Sequence, residues 1–366
     1  MPQIRHLADH MEHLAPLAYQ ESYDNAGLIV GDPDTEITGV LVTLDTTEAV
    51  INEAIAKGCN VVVAHHPIVF RGLKKLNGRN YVERAVIKAI KNDVALYAAH
   101  TNLDNVVGGV NFKIAEKLGL QNVQILAPKT GTLTKLVTFV PVVDTQRVLD
   151  ALHAAGAGQI GNYVNCSFRV EGTGAYQAGP DANPVLGEIG EYHREAEHRI
   201  EVILPTHQQG QLLTALRQTH PYEEVAYYLT PVANANQEVG SGAVGNLPEA
   251  MDGTTWLTYL KERMDLSLIR YTDLPERAIS RVAVCGGVGS FLLPDAIRAD
   301  ADVFVTADYK YHEFFDADDR ISICDIGHYE SEVFTKDLIQ QHLAEKFTTF
   351  TVILSEINTN PVRYFY

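Results

Sequence analysis

The sequence predicts an α/β protein: two related α/β halves with a metal site at the C-terminal ends of their strands, plus an inserted ferredoxin-like α+β domain. Three observations carry the prediction. Short β-prone apolar runs alternate with helical stretches, the pattern of βαβ units and a parallel sheet. Three of these runs stop abruptly in His or Asp: Val61-Val62-Val63-Ala64-His65-His66, Val94-Ala95-Leu96-Tyr97-Ala98-Ala99-His100 and Ile321-Ser322-Ile323-Cys324-Asp325. Ligands of open α/β sheets bind at the carboxyl ends of the strands, so metal-capable side chains at several strand ends can converge. The order of segments also recurs: residues 37–45 resemble 279–286, and residues 59–66 resemble 301–308. Such self-similarity points to two related halves facing one cleft.

Taken in order, an amphipathic helix is expected over 3–14 and a loop over 21–28. A strand (38–44), helix (47–57), strand (61–64), helix (80–92) and strand (94–98) complete the first half. The last part supplies strands at 279–286, 301–308 and 321–325, with helices at 291–299 and 333–346. Between the halves the order is strand (136–141), helix (145–155), strands (162–171 and 198–204), helix (208–219) and strand (225–230). That βαββαβ order is a ferredoxin-like sandwich. The glycine-rich stretch 172–190 reads as a long loop or hairpin, and His220-Pro221-Tyr222-Glu223-Glu224 as a turn. Linkers are expected near 130–135 and 233–240. The expected domains are therefore 1–134, 135–232 and 233–366.

Lys and Arg number 29 against 46 Asp and Glu, a net charge of −17. That field repels nucleic acid and anionic membrane surfaces, and disfavours an anionic substrate unless local cations or metals override it. The four cysteines, Cys59, Cys166, Cys285 and Cys324, form no CxxC pair and read as buried small hydrophobes. No stretch reaches the roughly 18–20 apolar residues of a transmembrane helix, and the N-terminal residues lack a signal-peptide apolar core. A cytoplasmic protein is the expectation.

The chemistry sits at the strand ends. His65 and His66 leave the sheet at Pro67 and can splay toward neighbouring points, which suits two metals roughly 3.5 to 4 Å apart; paired surface histidines are the bland alternative. Asp104 is read as a ligand and His100 as a nearby proton carrier. His328 and Glu332 share a helix face at i and i+4, although Glu at a helix start also serves the dipole. Asp308 and His312 form a candidate acid/base pair, with Lys310 as the local cation for an anionic group. Gly286, Gly287 and Ser290 form a turn whose N–H groups could hold an anion. Asp45 is read as a cap of the following helix.

Tyr23-Asp24-Asn25-Ala26-Gly27-Leu28, His65-His66-Pro67, His100-Thr101-Asn102-Leu103-Asp104, Cys285-Gly286-Gly287 and Gly327-His328-Tyr329-Glu330-Ser331-Glu332 together resemble the Nif-three-like family, whose members carry the label GTP cyclohydrolase 1 type 2 homologue. The resemblance covers both outer parts, and the middle part is similar to the PII- and CutA-like insert of longer members. It implies a dinuclear centre: His65 and Asp104 on one metal, His66 and His328 on the other, Glu332 bridging. It also implies a ring-shaped homohexamer. The family reads Thr-Gly-Asp where this chain has Thr306-Ala307-Asp308, an added methyl expected to narrow the cleft. Two divalent ions per chain follow, with Zn, Fe, Mn, Co or Ni compatible with His and carboxylate donors. The leading reading is a metal-dependent hydrolase of a small molecule; the alternatives are a GTP cyclohydrolase-like activity or a non-catalytic metal-binding or regulatory module.

Overall fold

The structure is a computed structural model that describes residues 2–365. It divides into two compact units: one holds the chain up to Ala127 and from Val239 onward, the other is Pro128–Glu238.

The first unit opens with α1 (Ile4–Leu14), followed by β1 (Gly27–Val30), β2 (Gly39–Asp45), α2 (Glu48–Ala56), β3 (Val61–His66), α3 (Tyr81–Lys91), β4 (Ala95–Ala98), the single turn α4 (Thr101–Asp104), α5 (Val110–Lys117) and β5 (Gln121–Lys129). Thr47 and Asn80 cap α2 and α3 by accepting from the N–H groups of Val50 and Glu83. The β2–β3 and β3–β4 pairs are parallel, and Asp45 lies opposite His66.

The second unit contains β6 (Leu133–Pro141), α6 (Thr145–Ala154), β7 (Phe168–Gln177), β8 (Tyr192–Pro205), α7 (Gln209–Thr219) and β9 (Tyr227–Val232). The spatial order is β7-β8-β6-β9, every pair antiparallel. Its element order is the βαββαβ pattern read from the sequence. The expected strand over 162–171 lies further on, and the first part of the glycine-rich stretch, 172–177, is strand. Gly174 explains this: a Cβ there would sit 2.0 Å from Glu197 Oε2, so glycine lets β7 pass beneath that carboxylate.

The chain then completes the first unit with β10 (Asn236–Met251), α8 (Gly253–Arg263), β11 (Arg270–Tyr271), β12 (Ile279–Val288), α9 (Leu293–Arg298), β13 (Val303–Ala307), β14 (Ser322–Asp325), α10 (His328–Glu332), α11 (Thr335–Lys346) and β15 (Thr351–Leu354). The expected linkers are not loops throughout: β6 starts at Leu133, and β10 runs through the second junction. The strands form two sheets, β1-β4-β3-β2-β15 and β11-β14-β13-β12-β10-β5. In each, three consecutive strands run parallel and a short antiparallel strand flanks the third.

Buried strands still obey a period of two. Val40, Val42, Val61 and Val63 share a core with Val282, Val284, Val303 and Val305, joined by Trp256 of α8 and Ile339 of α11. The alternate residues serve outer layers, Leu41 and Val62 against α2 and α3, Ala283 and Phe304 against α9. Both sheets thus lean on one central core, which fixes their strand ends relative to each other. Among the described residues no helix is long and apolar enough to cross a membrane.

Phe304 is fully buried in the outer layer of the second sheet. Phe304→Ala is expected to lower the unfolding free energy by about 3–5 kcal/mol, measured by urea unfolding. A loss below about 1 kcal/mol would mean that this layer collapses to fill the cavity.

Candidate metal centre

β3 delivers His65 and His66 at its last two positions, and the chain turns away at Pro67. Parallel pairing places Asp45, the end of β2, beside His66. β4 ends two residues before His100, which starts α4 and brings Asp104 over by one helical turn. From the second sheet, β14 ends at Asp325, and Gly327 adopts a left-handed φ of 93° before α10 presents His328 and Glu332. Their i,i+4 spacing puts both on one face.

Each histidine is held by its Nδ1. His65 Nδ1 lies 2.8 Å from the Ala99 carbonyl oxygen. A carbonyl only accepts, so His65 carries its proton there and its neutral Nε2 is a bare lone pair. His66 Nδ1 is 2.7 Å from Asp45 Oδ1, His328 Nδ1 is 2.7 Å from Asp308 Oδ2, and His100 Nδ1 is 2.6 Å from Asp24 Oδ1. This carboxylate–histidine arrangement is the one that orients metal ligands.

The Nε2 atoms then gather around Glu332. Its Oε2 is 3.0 Å from both His66 Nε2 and His328 Nε2, which are 3.4 Å apart. Its Oε1 is 3.8 Å from His65 Nε2, and Asp104 Oδ1 lies 3.7 Å from that same nitrogen. Two groups of three donors share Glu332, His66–His328–Glu332 and His65–Asp104–Glu332, and a third, His65–His66–His100, lies beside them. His65 Nε2 and Asp104 Oδ1 are buried without a hydrogen-bond partner. Bonds of about 2.0–2.1 Å to a shared ion separate tetrahedral donors by about 3.3 Å, close to these spacings. The donor set therefore fits divalent ions.

Charge is concentrated here. Burial works against a charged His66, but Asp45 and Glu332 at its two nitrogens push it up to about 10. For His328 burial is likewise outweighed by Glu332 and Asp308, and it rises to about 9. His65 shifts downward through burial. Burial and the neighbouring Glu332 raise Asp104. Glu332 is held low, because His328 and His66, each at hydrogen-bond distance from its Oε2, outweigh its burial.

The five residues expected as ligands meet in this cluster, and His100 joins them, its ring 5.3 Å from that of His65. A cavity of about 800 Å³ opens over them, walled by Tyr23, Phe70, Arg270, Tyr329 and residues 360–362 of the C-terminal segment.

Other expectations need correction. Asp308 does not pair with His312. Its left-handed φ of 57° turns the chain, so Asp308 meets His328 while the His312 ring meets Tyr311 edge-on and lies beside Phe315. Lys310 is exposed and its Nζ is 3.3 Å from Glu313; neither Lys310 nor His312 lines the cavity. The one Lys or Arg among the described lining residues is Arg270, paired with Asp325.

The Gly286–Ser290 turn is no anion cradle: the Gly286 N–H donates to Asn111 Oδ1 and that of Gly287 to Ser331 Oγ, while Ser290 bonds Glu313. The glycines instead leave room for the carboxylate, since a Cβ on Gly287 would lie 2.5 Å from Glu332 Oε1. Asp45 orients His66, and Thr47 is the cap. Ala307 is buried at the end of β13 and its methyl does not line the cavity. Asp24 and Arg270 escaped the sequence reading as site residues, although Asp24 lies in a quoted motif.

Comparison with known proteins adds three findings. A family model described as Duf34/NIF3 (NGG1p interacting factor 3) matches residues 2–361. Proteins named GTP cyclohydrolase 1 type 2 homolog, from Halalkalibacterium halodurans and Bacillus subtilis, are each 38% identical over 358 and 359 residues, covering 96% of both chains in each pair. A crystal structure of a Bacillus cereus protein related to NIF3 superposes with a TM-score of 0.86 at 37% identity, over 100% of this chain and 99% of that one. A Staphylococcus aureus protein superposes at 0.78 with 30% identity, over 99% of both.

The Asp24–His100 pair yields a pH prediction. Burial works to raise the Asp24 carboxyl, but hydrogen bonds from His100 and Thr101 bring it from 3.8 down to about 2. A depressed carboxyl gives stability that is fully present above 3.8 and lost as pH falls through about 2. Between about pH 5 and pH 2 the protein should therefore lose about 2 kcal/mol more unfolding free energy than Asp24→Asn does, read by urea unfolding across pH. A gap between the two proteins that stays constant with pH would contradict the assignment.

Proposed function

The chain belongs to the Duf34/NIF3 family, and on that premise we propose that its cleft holds two divalent metal ions and works as a metal-dependent hydrolase of a small molecule. One observation supports this above the others: the two oxygens of Glu332 divide between His66–His328 and His65–Asp104, each set with three protein donors. Three protein ligands leave a coordination position open, the arrangement of catalytic rather than structural sites.

His65, Asp104 and Glu332 would hold one ion, and His66, His328 and Glu332 the other. Ions held there supply Lewis acidity, polarising a substrate oxygen and acidifying a water. The protein does the rest. His100, fixed through Nδ1 by Asp24, carries the proton at its other nitrogen. Arg270 orients an anionic group at the cavity wall, in the role first given to Lys310. Tyr23 and Phe70, with ring centroids 6.0 Å apart, give the cleft an apolar wall for the substrate.

The relatives' names support a second reading, a GTP cyclohydrolase-like activity. Formate release from GTP by metal-loaded protein tests it. The homohexamer belongs to the same proposal. Exposed Phe291, Tyr311 and Phe315 give the first unit apolar surface for such contacts, and light scattering behind a sizing column decides it.

Elemental mass spectrometry on untagged protein should find about two ions per chain. Asp104→Ala should keep about one, and Glu332→Ala less than one, because Glu332 alone is shared. Equal metal content in all three proteins would remove the shared-carboxylate assignment. Metal-loaded protein should hydrolyse at least one member of a panel of phosphoesters, nucleotides and cyclic amides, with a rate about 100-fold lower in His100→Ala. Full metal loading with no turnover across the panel would leave a metal-binding or regulatory module.

A further inference from the structure

We propose that the second unit carries a binding site for an organic cation, an ammonium- or guanidinium-bearing small molecule held by the Glu197 carboxylate inside a box of aromatic rings. It lies outside the metal centre and does not depend on the reading of that centre.

Helices α6 and α7 cover one face of the β7-β8-β6-β9 sheet, where Leu136, Val140, Ile200 and Val202 pack with Val148 and Leu212. The alternate side chains stand on the other face, which no helix covers. There the hairpin segment after β7 and the turn after α7 close a cavity of about 630 Å³, within the roughly 300–1,000 Å³ of small-molecule pockets. The roof is tied down. The Asn183 N–H donates to Glu223 Oε2 at 2.8 Å, and Tyr176 O–H donates to the Leu186 carbonyl at 2.6 Å.

Glu197 lines this cavity and is only 7% exposed. Its Oε1 accepts from the Tyr222 O–H at 2.9 Å. Its Oε2 lies over Gly174, the position where any side chain would collide with it. Among the described residues Glu197 forms no ion pair. Arg199, two positions along the same face, is committed to Glu201, with Nη2 at 2.7 Å and Nε at 3.0 Å. A carboxylate buried without a cation is expensive, and a bound cation relieves that cost.

The walls suit the same ligand. Tyr176 and Tyr222 meet edge to face at 6.1 Å, and Phe139 and Tyr228 at 6.0 Å. Aromatic faces attract ammonium and guanidinium groups. Burial and Glu197 both raise the Tyr222 phenol, so it stays a neutral donor and leaves Oε2 for the ligand. A metal ion is disfavoured: among the described residues, every group of His, Cys, Asp and Glu spaced to hold one lies in the first unit. The His220-Pro221-Tyr222-Glu223-Glu224 run does form the turn expected of it, with the Tyr222 N–H donating to His220 Nδ1 at 3.1 Å. It also supplies a wall of this site.

The test uses the full chain with choline, agmatine and spermidine, beside the uncharged carbon isostere of choline, in calorimetric titration and saturation-transfer NMR. At least one of the three cations should bind, and the isostere at least about 10-fold more weakly than choline where choline is the binder. Glu197→Gln keeps an acceptor for Tyr222 and should weaken the bound cation about 10-fold or more. Tyr228→Leu alters a ring that is 61% exposed; it should weaken the cation about 3- to 10-fold and leave metal content and melting temperature unchanged. Binding of none of the three cations, isostere binding as tight as choline's, or an affinity untouched by both substitutions would overturn the proposal.

Discussion

Everything at the cleft is arranged around one buried carboxylate. Glu332 comes from the second half, yet its nearest partners include His65 and His66 from the first. Three imidazoles around a single carboxylate are stable only if each is held from behind, and each is: by a backbone carbonyl for His65, by Asp45 for His66 and by Asp308 for His328. Gly286 and Gly287 keep the space that Glu332 fills. The two sheets share one core because the cluster needs their strand ends at a fixed separation. Placed alone in that interior, Glu332, His66 and His328 would shed their charges; together they sustain each other's.

Much of this was legible beforehand. An apolar run that ends in His-His states both the strand and the place where it opens, and an i,i+4 pair of His and Glu states a shared helix face. What pairs with what across strands was not legible. Asp45 looked like a cap because a cap is a local matter, while its position opposite His66 depends on the β2–β3 register. The Asp308 turn misled for a similar reason. Nothing short-range announces a left-handed aspartate, and that one dihedral sends Lys310 and His312 away from the cleft. The glycine turn reads identically whether it offers N–H groups to a ligand or makes room for a neighbour's carboxylate.

The second unit shows the same ambiguity at larger scale. Its helices and most of its strands follow from periodicity, but a glycine-rich stretch signals loop and close approach alike. Here Gly172 and Gly174 belong to a paired strand, and the reason sits two dozen residues downstream in Glu197. Glycine in a strand is best read as a question about what lies above it.

His66 and Glu332 are 266 positions apart in the chain, and that separation has a consequence for biosynthesis. At translation speeds of about 5–20 residues per second, the histidine pair waits about 13–53 s before its carboxylate exists. During that interval β2, β3 and β4 can pair, but the cluster is half built, with His65, His66, His100 and Asp104 in place and neither His328 nor Glu332. Any ion that met the chain so early would find a different donor set, one without the shared carboxylate. The full donor set therefore exists only once α10 has been made, near the end of synthesis.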